Sequence, residues 1–374
     1  MYKRAYSDFD HYINKDKVLI IYGARRIGKT TLLEEYIKQY KKKYKFVSGD
    51  DLLIQNVLSS SKIQEIKDFC QGYDLLIIDE AQNIPGIGHA LKIIHDYIKN
   101  TKVIATGSSS FDLANAIGEP LVGRKIVLEM FPIAQSELKN HHNPFELKAA
   151  LNDYLIYGSY PEVLTLKNKQ DKIQYLKEIV GSYLYKDILT LASIKNPMVL
   201  QKLTKLLAFQ VGSEVSLNEL STQLGIDVKT VAKYIDLLEK SFILYPLTAY
   251  SKNLRKEISK KNKYYFIDNG IRNAVISQFN SIDDRNDVGQ LFENFLVTER
   301  LKRNIYSNYS SNNYFWRNYA KNEVDYIEEV DSKIFAYEFK WNKNAKLKAL
   351  AFIKSYPDSV FDVINQENYL SFVT

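Results

Sequence analysis

Between residues 18 and 130 the chain alternates short apolar runs with amphipathic stretches. "VLIIYG" (18–23), "YKFVSGD" (44–50), "DLLIIDE" (74–80) and "KVIATGSSS" (102–110) read as strands, each short and bounded by turn residues or charges. "TTLLEEYIKQYKKK" (30–43) and "HALKIIHDYIKN" (89–100) carry apolar residues at helical spacing. Strands alternating with helices predict a parallel sheet covered on both faces. From 131 to 196 the pattern is helical, as in "KIQYLKEIVGSYLYKDILTLA" (172–192), and predicts a helical lid.

Three further helical patterns follow: "MVLQKLTKLLAFQVG" (198–212), "SLNELSTQLG" (216–225) and "DVKTVAKYIDLLEKSFIL" (227–244). Ser216 and Asp227 suit N-caps, and Gly225 suits the turn of a helix-turn-helix. The strand-like segments "ILYPLTAY" (243–250) and "KYYFID" (263–268) flank a basic loop and complete the outline of a winged helix. Past Asn269, a helix near 288–303, strand-like segments at 314–319 and 323–340, a helix at 345–356 and a strand at 359–365 predict a small α/β domain. The expected organisation is therefore an α/β core at 1–130, the lid at 131–196, the winged helix at 197–269 and the last domain at 270–374.

The chemistry begins where the first strand ends. "GARRIGKT" (23–30) fits G-x-x-x-x-G-K-[ST] and stands between a strand and a helix, the context a phosphate loop requires. Gly23 and Gly28 let the backbone bend round phosphate, and the N–H groups of the loop and helix end face the anion. Lys29 reaches the β- and γ-phosphates, and the Thr30 hydroxyl binds Mg²⁺. Thr31 extends the ATP-binding set, and Arg25 and Arg26 touch phosphate or face solvent. In "LLIIDE" (75–80) an apolar run carries Asp79 to the end of a buried strand, where it holds the Mg²⁺ shell, and Glu80 is placed as general base for water. One hydroxyl among Thr106, Ser108 and Ser109 senses the γ-phosphate, or the turn caps the next helix. Arg124 is an arginine finger, on this chain's nucleotide or a neighbouring copy's, or a surface arginine.

These motifs resemble the predicted AAA-superfamily ATPases of bacteria and archaea. In that family "R…GxRxxGKTT", "DEaQ" and a later "GR" recur in order, and here they stand as Arg4, "GARRIGKTT", "DEAQ" and Gly123-Arg124. Ala24 replaces the proline that often follows the first glycine. The resemblance extends over nearly the whole chain. It implies ATPase activity and a C-terminal part containing a winged helix and a nuclease-like fold, without a settled biological role.

Two segments bear on nucleic acid. On the helix from 227, Val231, Ala232, Ile235 and Leu238 can face a core, leaving Lys229, Thr230, Lys233 and Tyr234 toward a groove. The loop 251–263 gathers Lys252, Arg255, Lys256, Lys260, Lys261 and Lys263, a wing that phosphates attract or a solvated hairpin. In "EVDYIEEVDSKIFAYEFK" (323–340) a hairpin turning near 329–333 can bring Asp325 beside Glu338, with Lys340 on the same face as Glu338. Such hard oxygen ligands suit Mg²⁺ or Mn²⁺, and Lys340 can position a water or stabilise developing charge. Glu293 can add a carboxylate from a helix, and Glu323 is a spare. The Glu…Asp…Glu-x-Lys order resembles the PD-(D/E)xK nuclease superfamily; the alternative is a solvent-facing hairpin with a cross-strand ion pair. Trp316, Tyr337 and Trp341 flank these acids and either stack on bases or pack.

Composition narrows the partners. The chain has 374 residues, 45% hydrophobic and 25% charged, as in a soluble globular protein. No apolar run approaches membrane-spanning length, the N-terminal stretch "MYKRAYSDFDHY" lacks an apolar signal core, and Cys70 is the single cysteine. A cytoplasmic protein without membrane attachment is expected. A formal charge of +7 permits DNA contact without establishing it. No His or Cys spacing suggests zinc. Two readings follow: an ATP-dependent enzyme acting on DNA, or an ATP-switched regulator or assembly factor whose C-terminal part binds a protein partner or a second copy.

Overall fold

The computed structural model describes residues 2–13, 16–108, 121–184, 196–251, 261–318, 320–342 and 350–374. They fall into two compact units: Lys3–Phe131 with Lys240–Phe242, and Met1–Tyr2 with Pro132–Glu239 and Ile243–Thr374.

The first unit is built on a five-stranded sheet of β1 (Val18–Gly23), β2 (Tyr44–Ser48), β3 (Leu75–Asp79), β4 (Lys102–Gly107) and β5 (Lys125–Met130). All pairings are parallel, in the order β2-β3-β4-β1-β5. Every residue of β1 and β3 is buried, which is why both read as continuous apolar runs rather than alternations. The four strands expected from the sequence are present. The fifth, β5, was not anticipated: it pairs with β1 at the sheet edge, and its Lys125 and Glu129 break the apolar run. Helices α1 (Lys29–Gln39), α2 (Leu52–Ser59), α3 (Ile63–Cys70) and α4 (Ile87–Tyr97) flank the sheet. Because the strands are parallel, their carboxyl ends share one edge, and Gly23, Gly49, Asp79 and Gly107 gather there.

In the second unit, α5 (Pro197–Phe209), α6 (Leu217–Leu224) and α7 (Val228–Lys240) follow one another with the caps the sequence predicts. Ser216 Oγ accepts from Glu219 N at 3.4 Å, Asp227 Oδ1 accepts from Thr230 N at 2.9 Å, and Gly225 ends α6 with φ 66°. β6 (Leu244–Ala249) and β7 (Lys263–Phe266) pair antiparallel, and Glu214 bridges to Lys263 on the outer side. The hairpin does not end there. β6 also pairs parallel with β8 (Asn312–Arg317), so one six-stranded sheet runs β11-β10-β9-β8-β6-β7, with β9 (Glu323–Val330), β10 (Lys333–Phe339) and β11 (Val360–Ile364). The sheet is continuous across the boundary expected at 269/270, since β8 covers an edge of β6 that an isolated hairpin would expose. The helices of 135–178, expected as a lid, cluster with this unit.

Between β7 and β8 lie α8 (Asn269–Val275) and α9 (Val288–Tyr306). Asp268 caps α8 through Ile271 N at 3.1 Å and accepts from Ser159 N at 2.7 Å. Gly158 has φ 72°, and a Cβ there would stand 2.0 Å from Asp268 Oδ1, so only glycine fits. The β9–β10 turn is the two-residue kind: Asp331 and Ser332 both adopt positive φ, with Val330 opposite Lys333.

Candidate functional site

At the carboxyl edge of the first sheet the chain leaves β1 at Gly23 and enters α1 at Lys29. A Cβ at Gly23 would sit 2.2 Å from Met130 O, so the loop starts where side chains cannot. Arg26 and Gly28 both have positive φ, at 63° and 90°. Gly28 is the N-cap of α1 and offers no side-chain cap, which leaves the first-turn N–H groups directed at whatever the loop encloses. Lys29 is buried, and its Nζ donates to Gly23 O at 2.9 Å and Ala24 O at 2.8 Å. Arg26 is exposed and Thr31 half-buried on the first turn.

The loop is tied to the acid pair. Thr30 Oγ1 donates to Asp79 Oδ2 at 2.7 Å, and Thr106 Oγ1, fully buried, donates to Asp79 Oδ1. The Glu80 N–H donates to Thr106 Oγ1 at 3.3 Å. β4, lying between β1 and β3, is what brings Thr106 to this place. Thr106 therefore bonds the acid pair; Ser109 lies outside the described residues. Glu80 leaves β3 with φ 49°, and a Cβ on Gly49 would be 2.3 Å from Glu80 O, so the strand end is closely packed. Gln82, which the sequence reading did not single out, donates from Nε2 to Glu80 Oε2 at 2.5 Å and to Ser108 Oγ at 3.1 Å. Its Oε1 is buried without a hydrogen-bond partner. Its place two residues past Glu80 within "DEAQ" was the available signal. The Thr30 hydroxyl and Asp79 carboxylate, in contact at the phosphate loop, are the oxygen donors that fit Mg²⁺ beside a triphosphate.

Two arginines have different standing. Arg4 is buried and braces the loop, with its two terminal nitrogens donating to Ile27 O at 2.7 Å and Phe131 O at 2.6 Å. Arg124 donates from Nε to Asp96 Oδ1 at 2.9 Å, and its carbonyl accepts from Val18 N. That places it at the start of β1, about five strand residues and roughly 17 Å from Gly23. That distance excludes a role for Arg124 on this chain's own nucleotide.

The second unit gathers the other candidate residues. Residues 337 of β10 and 326 of β9 are opposite, and one step further Glu338 faces Asp325, whose Oδ2 accepts from Phe339 N at 2.7 Å. Lys340 Nζ donates to Glu338 Oε1 at 2.5 Å, while Glu338 Oε2 is buried without a hydrogen-bond partner. Glu293, from α9, accepts from Tyr265 Oη at 2.7 Å and from Lys263 Nζ at 3.2 Å. Lys263 is also paired with Glu323 and is 1% exposed. Asp325 and Glu338 thus lie on neighbouring strands, while Glu293 and Glu323 are paired with a lysine expected on an exposed wing. That expectation for Lys263 is corrected: the Glu214 bridge and the β6–β7 pairing turn its side chain inward.

The electrostatics follow from burial. Desolvation pushes Glu293 up to about 7 against the pull of Lys263, and Glu338 up to about 6 with help from Asp325. Burial likewise raises Asp325 despite Lys263 and the Phe339 N–H. For Lys263 burial acts downward, but Glu293, Asp325 and Glu323 outweigh it and the ammonium is held raised. Among the described residues no three His, Cys, Asp or Glu side chains stand close enough to hold a metal ion. The expected metal set Glu293, Asp325 and Glu338 is therefore not assembled among the described residues; the Lys263 ammonium pairs instead with Glu293 and Glu323.

Other expectations divide. Lys229 and Lys233 are exposed on α7, but Tyr234 is buried on the stripe of Val231, Ile235 and Leu238, Ala232 is exposed, and Thr230 Oγ1 donates to its cap Asp227. Trp316 packs edge-on to Phe352, Tyr337 on Phe372 and Trp341 on Phe292, which is the packing alternative for all three. Lys252, Arg255, Lys256 and Lys260 lie outside the described residues. No helix among the described residues is long and apolar enough to cross a membrane.

Three family models match successive parts of the chain. Residues 15–139 match the family model described as "AAA domain". Residues 148–282 and 288–367 match two families described as domains of unknown function, the latter DUF4143. An uncharacterised protein of Haemophilus influenzae is 27% identical over 77% of this chain and 75% of its own length. One from Methanocaldococcus jannaschii is 24% identical over 96% of this chain and 83% of its own. Among solved structures, a Walker-type ATPase of Pyrococcus abyssi is similar with a TM-score of 0.48 and 16% identity, covering 72% of this chain and 94% of that one. The match to the AAA-domain model falls on the first unit, with its parallel sheet and phosphate loop, and supports an AAA/P-loop domain there.

Proposed function

We propose that this protein binds Mg²⁺–ATP at the phosphate loop, hydrolyses it, and uses the cycle to switch a second unit that recognises duplex DNA. The observation that carries the ATPase reading is the chain Thr30–Asp79–Thr106–Glu80, which joins the loop to the acid pair. Lys29 leaves its two carbonyl acceptors for the β- and γ-phosphate oxygens, and the loop N–H groups take the remaining phosphate charge. Thr30 and Asp79 hold Mg²⁺, which supplies charge neutralisation between the phosphates. Glu80 takes the proton of the attacking water, and Gln82 aims its carboxylate. Lys29→Ala should abolish nucleotide binding by calorimetry, while Glu80→Gln should bind ATP and turn it over slowly. Turnover at the wild-type rate by Glu80→Gln would remove Glu80 as the base.

The helix-turn-helix followed by a hairpin supports a winged-helix reading of 197–269, with Lys229 and Lys233 exposed on its last helix. Duplex binding measured by anisotropy should fall with salt, and the double change Lys229→Glu, Lys233→Glu should weaken it. The second reading, an ATP-switched protein that only binds a partner, is favoured by Lys263: the cation at the base of the hairpin is spent on carboxylates rather than offered to phosphate. Unchanged DNA affinity in the double variant would turn the reading to the protein partner.

A further inference from the structure

A hydroxyl has one proton to give and lone pairs with which to receive. Thr106 has used both: its O–H goes to Asp79 Oδ1, and its oxygen accepts from Glu80 N at 3.3 Å. Ser108 has used only the second. Its Oγ accepts from Gln82 Nε2 at 3.1 Å, and no acceptor among the described residues takes its proton. Glu80 fixes the direction of that bond. Gln82 Nε2 lies 2.5 Å from Glu80 Oε2, and a reversed amide would set oxygen against carboxylate. Both N–H groups of Gln82 are thus committed, one to the base and one to Ser108. The arrangement holds although Gln82 Oε1 is left buried without a partner, so the two donations outweigh that loss. Ser108 also stands where an anion would use its proton. Tyr22 of β1 pairs with Gly107 of β4, which sets Ser108 level with Gly23, the first residue of the phosphate loop. Neighbouring strands are about 4.8 Å apart, so one strand spacing separates Ser108 from the loop. Thr106 is fully buried, whereas Ser108 keeps 9% of its surface at the sheet edge.

We propose that Gln82 is a positioning residue that couples the terminal phosphate to the general base. Ser108 donates its unspent proton to a γ-phosphate oxygen. The Gln82 amide, holding Ser108 with one N–H and Glu80 with the other, then sets the carboxylate for the attacking water. A hydroxyl that donates to an anion becomes a stronger acceptor, so the Gln82–Ser108 bond tightens when that oxygen is present. With a diphosphate in the loop Ser108 has no such acceptor, and the amide holds Glu80 less firmly. The base is therefore set by the nucleotide it acts on. This rests on the ATPase reading of the loop and acid pair and adds to it the route by which the site tells ATP from ADP.

The test uses the full chain. Calorimetry follows Mg²⁺–ADP and Mg²⁺ with the β,γ-imido analogue of ATP, and steady-state kinetics follow hydrolysis of Mg²⁺–ATP. Ser108→Ala should weaken the analogue roughly tenfold, the loss of one charge-assisted bond, and leave ADP within about twofold. Gln82→Ala should leave both affinities within about twofold and lower kcat roughly tenfold, because it misplaces the base without touching phosphate. In the Ser108→Ala background, Gln82→Ala should lower kcat by less than about twofold further, since the two residues act in series. Ser108→Thr keeps the hydroxyl and should recover most of the loss in analogue affinity and in kcat, which a merely structural role would not do. Unchanged analogue affinity in folded Ser108→Ala overturns the proposal, as do effects of the two alanine changes on kcat that simply multiply. In either case the ATPase reading stands if Lys29→Ala still abolishes binding. A wild type that binds neither nucleotide removes that reading and the coupling with it.

Discussion

Two lysines, both buried, show how differently the two units handle a cation. Lys29 rests on the carbonyl oxygens of Gly23 and Ala24, neutral dipoles at the rim of an anion-shaped loop. Lys263 rests on the carboxylates of Glu293 and Glu323. An ammonium held by carbonyls can be recruited by a phosphate, because a charge-assisted bond to an anion outcompetes one to a neutral oxygen. An ammonium locked among acids is satisfied already, and removing it strands several charges. The first ammonium can turn to an anion, and the second is already satisfied.

The largest effect should fall on that contrast. Lys29→Ala should reduce ATP affinity by at least about a hundredfold, whereas Lys263→Met should leave ATP affinity within about twofold, both read by calorimetry. If Lys263→Met lowers ATP affinity as much, the two sites are not independent. Next, Glu80→Gln should slow hydrolysis by roughly 10²–10⁴-fold while ATP still binds, the range expected for loss of a general base. Gln82→Ala should slow it less, with the larger part in kcat, since it aims Glu80 without touching the phosphates.

Arg4→Ala removes two buried, charge-assisted hydrogen bonds to the loop and to Phe131 O. Hydrogen bonds to charged groups contribute about 1.5–3 kcal/mol each, so a loss of a few kcal/mol is expected in chemical denaturation of the first unit. A smaller effect is predicted with pH. The half-buried Glu293 and the buried Glu338 have folded-state values raised to about 7 and about 6. A carboxyl group raised on folding binds its proton more tightly in the folded protein. Its contribution is therefore favourable at low pH and is lost as pH rises from the ordinary carboxylate range through those values. Urea midpoints should fall between pH 5 and 7.5, and Glu293→Gln should flatten that fall; an unaltered slope would place the titration elsewhere. Smallest of all, Arg124→Ala breaks only a partly exposed pair with Asp96 and should cost less than about 1 kcal/mol. If it nonetheless lowers turnover, with a rate that depends on protein concentration, Arg124 acts on a neighbouring copy.

The strand–turn–helix of the phosphate loop was legible because its parts are contiguous. Gly23, Gly28, Lys29 and Thr30 lie within one strand–turn–helix, and the apolar run ahead of Asp79 declares its own strand end. β5 was not legible, since an edge strand with Lys125 and Glu129 has no continuous apolar run. Tyr234 was misplaced for a local reason: a tyrosine's ring fits the buried stripe of α7 as well as an exposed face, and only packing decides.

What the sequence by itself determined is the chemistry carried by local order: a strand, a glycine-bent loop, a helix, an acid pair, and a hairpin turning near 329–333 that can bring Asp325 beside Glu338. Only the tertiary structure decided which distant groups meet them. Thr106 reaches Asp79 because β4 is inserted between β1 and β3, Arg124 is carried to the far edge of the sheet, and Lys263 is turned into the acids by the pairing of β6 with β7 and of Glu214 with Lys263. The reason is physical. Backbone geometry and alternation act over a few residues, whereas the partner of a buried charge is chosen by strand order and register, which no short stretch of sequence contains.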